Sequence, residues 1–222
     1  PSSDAFSVSN ISCLQKARPI GLLCKLDQLV YSCQDIFMTT DKPRPTKDRL
    51  IRAAANLFRT RGYHGVGLND LLVEAQAPKG SLYHHFPNGK SDLALAAADW
   101  ASDAMLRLIA ESFADATTFK DGATPLCYKL AKLFDLTGSW EGCPISATLF
   151  EGPDNTAFRE HAAHLYSGWI NEVHDHAQRM NMSTDGAQRA AEHLFVLIQG
   201  GWLLARARRS SDVLRGLPDY FS

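Results

Sequence analysis

The sequence predicts an all-α protein: a small N-terminal three-helix unit followed by a larger helical bundle. Three observations predict it. Apolar residues recur at helical spacing through most of the chain from Thr46 onward, and the period-two alternation of a half-buried strand is absent. Charge also divides along the chain. Asp41 to Asp92 carries nine Lys/Arg against five Asp/Glu, net +4, whereas Leu93 to Ser222 carries eleven against sixteen, net −5. The formal net charge of −1 conceals this basic segment and the acidic one after it.

A chain of 222 residues, 45% hydrophobic, has the length and composition for a substantial core in one or two domains. Cysteines at 13, 24, 33, 127 and 143 form no CxxC pair, which argues against a zinc ribbon or a disulfide scaffold and fits a reducing cytoplasm. No apolar run approaches the roughly 20 residues of a membrane span. The early candidate "PIGLLC" is closed by Arg18 and Lys25 and is too short for a secretory core.

Residues 1–37 show no clear period, and residues 1–45 are expected to be an extension or arm without fixed structure. Met38, just before "TTDKPRPTKD", is the expected initiator; the alternative is a genuine extension. From Thr46, Leu50, Ala54, Leu57 and Phe58 fall on one helical face, with Pro45 and Gly62 marking the ends. "GLNDLLVEA" (67–75) reads as a short second helix capped by Gly67, and Pro78 opens a third over "KGSLYHHF". A long helix is expected from Lys90, where Leu93, Ala97, Trp100, Ala104 and Leu108 keep helical spacing. Beyond it come a stripe of Leu126, Leu130, Leu133 and Phe134, a long helix over 157–180, and a last stripe of Ala187, Ala190, Leu194, Ile198, Trp202 and Ala205. The expected division is an arm (1–45), a three-helix domain (46–92) and a bundle (93–222).

The third helix carries the functional signal. Leu82 and Phe86, four apart, are expected to face inward onto Leu57, Phe58 and Leu71, leaving Lys79, Ser81, Tyr83, His84 and His85 outside. Adjacent histidines on a helix point about 100° apart and are poorly placed to clasp one metal ion. No partnered nucleophile or phosphate-cradling loop accompanies them, so no catalytic group, metal or cofactor is expected. Polar and basic side chains near a helix N-terminus suit the major groove of double-stranded DNA, and Gly80 lets the backbone come close.

"LIRAAANLFRTRGYHGVGLNDLL" (50–72) followed by "PKGSLYHHFPNGKSDL" (78–93) resembles the DNA-binding domain of the TetR family of bacterial transcriptional regulators over roughly residues 46–95. The resemblance implies a helix-turn-helix in which Lys79, Gly80, Ser81 and Tyr83 touch base edges or nearby phosphates, flanked by His84 and His85. It also implies that Lys90 clamps a phosphate and that Asn69 holds the backbone. Lys47, with Lys42 and Arg44 in the arm, adds sequence-independent attraction. Two positions depart from the family pattern. Gln76 stands where most relatives have Gly, which predicts left-handed strain of order 1 kcal/mol, and Gly67 replaces the usual Ser/Thr cap.

"PNGK" (87–90), "GCPISATLFEG" (142–152) and "GGWLLARARR" (200–209) resemble the LmrA/YxaF-like subgroup. This implies that the acidic part dimerises and binds a small effector. Trp100, Met105, Phe134, Phe150, Tyr166, Trp169 and His193 are the expected ligand-binding residues, drawn from an aromatic-rich set that includes Phe113, Trp140 and Phe195, with Gln199 as a further polar group. For each of them singly, core packing is the competing reading. Leu194, Ile198, Gly200, Gly201, Trp202 and Ala205 are expected at a dimer interface shared with the helix after Asp212, because adjacent mid-helix glycines imply a close neighbour. His161 and His164, with Glu160 beside them, have metal-compatible spacing but no identifiable fourth ligand, so a solvated face is favoured. Cys143 reads as either an inert thiol or an oxidant sensor.

Together these imply a dimeric repressor that leaves a palindromic operator when a small apolar or aromatic effector enters the bundle. The competing reading is a helical carrier or enzyme that retains an unused helix-turn-helix.

Overall fold

The computed structural model describes residues 45–137, 143–150 and 156–221. The arm residues Met38, Lys42 and Arg44, and Trp140 of the aromatic set, lie outside them. Among the described residues there are nine α-helices, a closing 3-10 turn (217–220) and no strand. The helices are α1 (Thr46–Arg61), α2 (Leu68–Glu74), α3 (Lys79–His85), α4 (Lys90–Phe113), α5 (Phe119–Thr137), α6 (Pro144–Leu149), α7 (Thr156–Arg179), α8 (Thr184–Arg208) and α9 (Asp212–Gly216).

Local chemistry sets the breaks between them. Gly62 stops α1 at φ 71°, its N–H donating to Phe58 O at 2.8 Å. The Asp70 carboxylate accepts the Gly67 N–H at 2.9 Å, half of a capping box, so α2 starts without a hydroxyl cap. Thr118 and Asp121 complete a reciprocal box at the start of α5: the carboxylate accepts the Thr118 N–H at 3.0 Å and the hydroxyl accepts the Asp121 N–H at 3.2 Å. Hydrogen bonding from Thr118 first, and then from Thr117, holds the Asp121 carboxyl below its usual range. Ser183 caps α8 by accepting the Gly186 N–H at 3.2 Å.

At the bend between α2 and α3 Gln76 sits at φ 48°, in the left-handed region. Arg49 of α1 holds it there by donating to the Gln76 carbonyl at 3.0 Å. A left-handed L-residue costs roughly 1–2 kcal/mol, and glycine returns part of that gain as unfolded-chain entropy. Gln76→Gly is therefore expected to stabilise the protein by about 0.5–1 kcal/mol, which urea denaturation measures. A loss of stability would show that the Gln76 side chain holds the bend.

One buried cluster runs from Leu50 in α1 to Phe221 at the C-terminal end, so the three-helix unit and the bundle share a continuous core. α4 is its axis, packing on α1, α5, α6 and α7. Trp169 of α7, 1% exposed, donates its indole N–H to Ser102 Oγ of α4 at 2.8 Å, and Asp99 of α4 meets His161 of α7 at 2.6 Å. The chain after Asp212 folds back on its own protomer, burying Leu214, Leu217 and Phe221, and Arg215 of α9 pairs with Asp135 of α5 at 2.7 Å.

This packing turns most of the expected dimer face into the protomer. Leu194, Ile198, Gly201 and Ala205 are buried within the protomer, and Trp202 lies edge-on to Phe134 with ring centroids 5.5 Å apart. α9 covers this side of α8: a Cβ on Gly201 would lie 3.1 Å from Leu217 Cδ1 and 3.4 Å from Leu214 Cδ2. The close neighbour that the glycine pair implies is thus a pair of leucine side chains belonging to the same chain. Of the six residues only Gly200 is exposed, and nothing lies within 4 Å of where its Cβ would be.

Candidate nucleic-acid interface and effector crevice

α3 is held from below and open above. Leu82 and Phe86 are buried in the cluster that contains Leu57, Phe58 and Leu71. Lys79, Gly80, Tyr83 and His84 are exposed, Ser81 and His85 half-exposed, and a Cβ on Gly80 would meet nothing within 4 Å. The His84 and His85 rings meet edge-on with centroids 4.9 Å apart. Asn69 in the first turn of α2 and Lys47 in the first turn of α1 are both exposed.

The turn from α3 to α4 is locked. Asn88 donates its backbone N–H to Asp92 Oδ2 at 2.9 Å and its side-chain amide to Oδ1 at 3.0 Å, while Gly89 adopts φ 66°, open to glycine without strain. Lys90 follows as the first residue of α4, half-buried, with Nζ 4.2 Å from the Tyr63 ring centroid. The sequence reading missed Arg49, Tyr63 and Asp92 as supports. For Arg49 and Tyr63 the signal lies in pairs distant along the chain, with Gln76 and Lys90, and no periodicity reveals those; Asp92 answers Asn88 only four residues before it.

In the bundle an apolar crevice opens between α4, α5, α7 and α8, lined by Met105, Ile109, Trp169, Val173, Leu194 and Phe195 among others, with Gln199 as its polar group. It has room for little more than a water molecule in this conformation. Beside it runs a chain of rings: Phe150 to Tyr166 at 6.0 Å, Tyr166 to Trp169 at 5.4 Å and Tyr166 to Phe195 at 5.2 Å. The Tyr166 hydroxyl lies 3.7 Å from Cys143 Sγ, which also receives the Gln199 amide at 3.8 Å. Burial, with the Cys143 thiol adding to it, pushes the Tyr166 phenol well above its ordinary range, so it stays protonated. Burial alone pushes the Cys127 thiol up to about 12.

Of the expected ligand residues, Met105 and Trp169 line the crevice, and Tyr166 and Phe150 adjoin it through the ring chain, Phe150 being half in solvent. The other three lie elsewhere. Trp100 receives the Arg52 guanidinium 4.9 Å above its ring, Phe134 packs on Trp202, and exposed His193 meets Phe221 at 6.2 Å. They share helices with the crevice residues but not the same side, a distinction that composition does not carry. Ile109 and Val173, one turn beyond Met105 and Trp169, complete the lining and were missed because aliphatic residues in a stripe read as ordinary core. Among the described residues no group of three or more His, Cys, Asp or Glu is placed to hold a metal. No helix among them is long and apolar enough to cross a membrane.

Comparison with known proteins places this geometry in a family. The model of the bacterial regulatory proteins of the tetR family matches residues 50–97, and that of the C-terminal domain of LmrA/YxaF-like transcriptional regulators matches residues 120–219. The HTH-type transcriptional regulator LmrA of Bacillus subtilis is 30% identical over 170 residues, 76% of this chain and 90% of that protein. The chain belongs to the TetR family of transcriptional regulators. Within that family its C-terminal part is of the LmrA/YxaF-like kind. The TetR regulatory protein of Rhodobacter sphaeroides superimposes with a TM-score of 0.68 at 24% identity, covering 79% of this chain and 96% of that one. The regulator CifR, whose crystals include a complex with 26-base-pair operator DNA, superimposes at 0.67 and 21% identity over 81% of this chain and 97% of its own. Both likenesses are of fold.

Proposed function

We propose that this TetR-family regulator is a cytoplasmic repressor that binds a palindromic operator as a dimer and releases it when a small, uncharged, mainly apolar or aromatic molecule enters the bundle. The observation that carries this is α3, with Lys79, Gly80, Tyr83 and His84 presented to solvent on a base of buried Leu82 and Phe86. In this reading residues 46–92 are the DNA-binding domain, with Lys79, Gly80, Ser81, Tyr83, His84 and His85 at the major groove. Lys47, Asn69 and Lys90 hold phosphates.

Residues 93–222 form the effector-binding and dimerisation domain. The dimer face is the outer stripe of α8, where Val196 (66% exposed), Leu203 (64%) and Leu204 (47%) surround Gly200. With α7, against which α8 packs, it builds a four-helix contact between protomers. The effector enters at Met105, Trp169, Phe195 and Gln199; the lining has no charged group, hence the preference for an uncharged ligand. A narrow crevice fits release by population shift, since a ligand that binds only a widened form favours the dimer whose α3 helices no longer match two half-sites.

Selection from a random duplex library by the full chain tests this. An inverted repeat with half-sites about one DNA turn apart, roughly 34 Å, is the expected result. Enrichment of no sequence would favour the carrier or enzyme reading.

A further inference from the structure

We propose that Tyr63 is a positioning residue for DNA binding: its ring holds the Lys90 ammonium where it meets a backbone phosphate, and Phe158 of α7 holds the ring. The inference rests on the reading of Lys90 as a phosphate clamp and adds the residue that makes the clamp work.

Tyr63 lies just past the end of α1, after the positive-φ Gly62. Its ring meets three elements. It tilts against Phe58 of α1 at 5.5 Å, carries Lys90 Nζ of α4 at 4.2 Å from its centroid, and meets Phe158 of α7 edge-on at 5.3 Å and 88°. The second ring near the ammonium, Phe58, is more distant at 6.0 Å. Phe158 is 1% exposed, so the edge that abuts Tyr63 is fixed in the core.

The chemistry follows from the flexibility of lysine. An ammonium on a four-carbon stem samples many rotamers in water, and ordering it on DNA costs entropy. A neutral aromatic face attracts the cation without neutralising it as a carboxylate would, so it selects a rotamer. Burial raises the phenol above its ordinary range, which keeps the ring neutral at physiological pH. The same α7 that carries Phe158 carries Tyr166, Trp169 and Val173 at or beside the crevice, so one rigid helix joins the effector crevice to the support of the clamp.

The test measures binding of the full-length protein to the duplex enriched by selection, by fluorescence anisotropy across a series of salt concentrations, for wild type, Lys90→Gln, Tyr63→Leu, Tyr63→Phe and the Tyr63→Leu/Lys90→Gln double variant. Each phosphate contact contributes about 0.9 to the slope of log affinity against log salt. Lys90→Gln is expected to reduce the slope by about that amount per protomer. Tyr63→Leu should lower affinity with the slope nearly kept, because the lysine still reaches its phosphate at an added ordering cost; the double variant should lose no more affinity than Lys90→Gln alone, and Tyr63→Phe should restore wild-type affinity. A merely structural Tyr63 would weaken binding by the same factor with or without the Lys90 ammonium, so additive losses in the double variant overturn the proposal. An unchanged slope in Lys90→Gln would instead remove the clamp reading itself. Should circular dichroism find Tyr63→Leu unfolded, Tyr63→Met, an unbranched chain nearer in length, is read in its place by the same criteria.

Discussion

Gly200→Leu is expected to leave each protomer folded and to dissociate the dimer. Gly200 is exposed and nothing in its own protomer approaches its missing side chain, so the protomer has space for a leucine. At a two-fold interface the same side chain intrudes twice. With overpacking at about 1–3 kcal/mol per site, the dimer weakens by roughly 2–6 kcal/mol, on the order of 30-fold to 10⁴-fold in its dissociation constant. Sedimentation velocity at micromolar protein, with circular dichroism melting beside it, separates assembly from folding. An unchanged dimer would move the interface off the Val196, Gly200, Leu203 and Leu204 stripe. Gly201→Leu is the internal contrast. Its side chain would press on Leu217 and Leu214, so its cost is expected in the melting of the protomer.

The largest stability effect is expected at Trp169. This side chain is 1% exposed, packs on Tyr166 and Phe195, and donates its indole N–H to Ser102 Oγ. Trp169→Ala should cost about 3–5 kcal/mol through lost burial and the cavity left behind. The Ser102 hydroxyl, buried at 3% exposure, loses that partner too, a smaller addition. Urea denaturation at one fixed protein concentration measures it, since the apparent stability of a dimer depends on concentration. Trp169→Phe keeps most of the packing and should lose clearly less. The new cavity adjoins the crevice, so added indole is expected to restore part of the lost stability. A loss below about 1 kcal/mol would mean that Trp169 is a loosely packed wall and not a core anchor.

The two parts of the molecule were legible in the sequence to different degrees. Helix starts and stops at Gly62, Gly67, Pro78 and Lys90 could be read directly, because the residues that break or cap a helix do so locally. The exposed side of α3 could also be read, since a seven-residue helix with Leu82 and Phe86 inward has one face left. The strained bend at Gln76 was visible as a missing glycine. α8 was harder. Over 25 residues it carries two apolar stripes, and the stripe that looked most continuous, Leu194, Ile198 and Ala205, packs inside the protomer while Val196, Leu203 and Leu204 face out. Which stripe turns inward depends on where the chain after Asp212 lands, a long-range event with no local signature. The crevice lining was hard to read for a related reason: aromatic content identifies a region, whereas the side on which Trp100 or Phe134 lies is decided by the neighbouring helices α1 and α8.

The central claim is that α3 reads DNA, and one measurement tests it most directly. Fluorescence-anisotropy titration of the selected duplex against a scrambled duplex, at two salt concentrations, compares wild type with Lys79→Ala. The account predicts nanomolar binding to the selected duplex that weakens steeply with salt, and a loss of about 1–3 kcal/mol in discrimination for Lys79→Ala. Equal affinity for both duplexes in wild type and variant alike would contradict it.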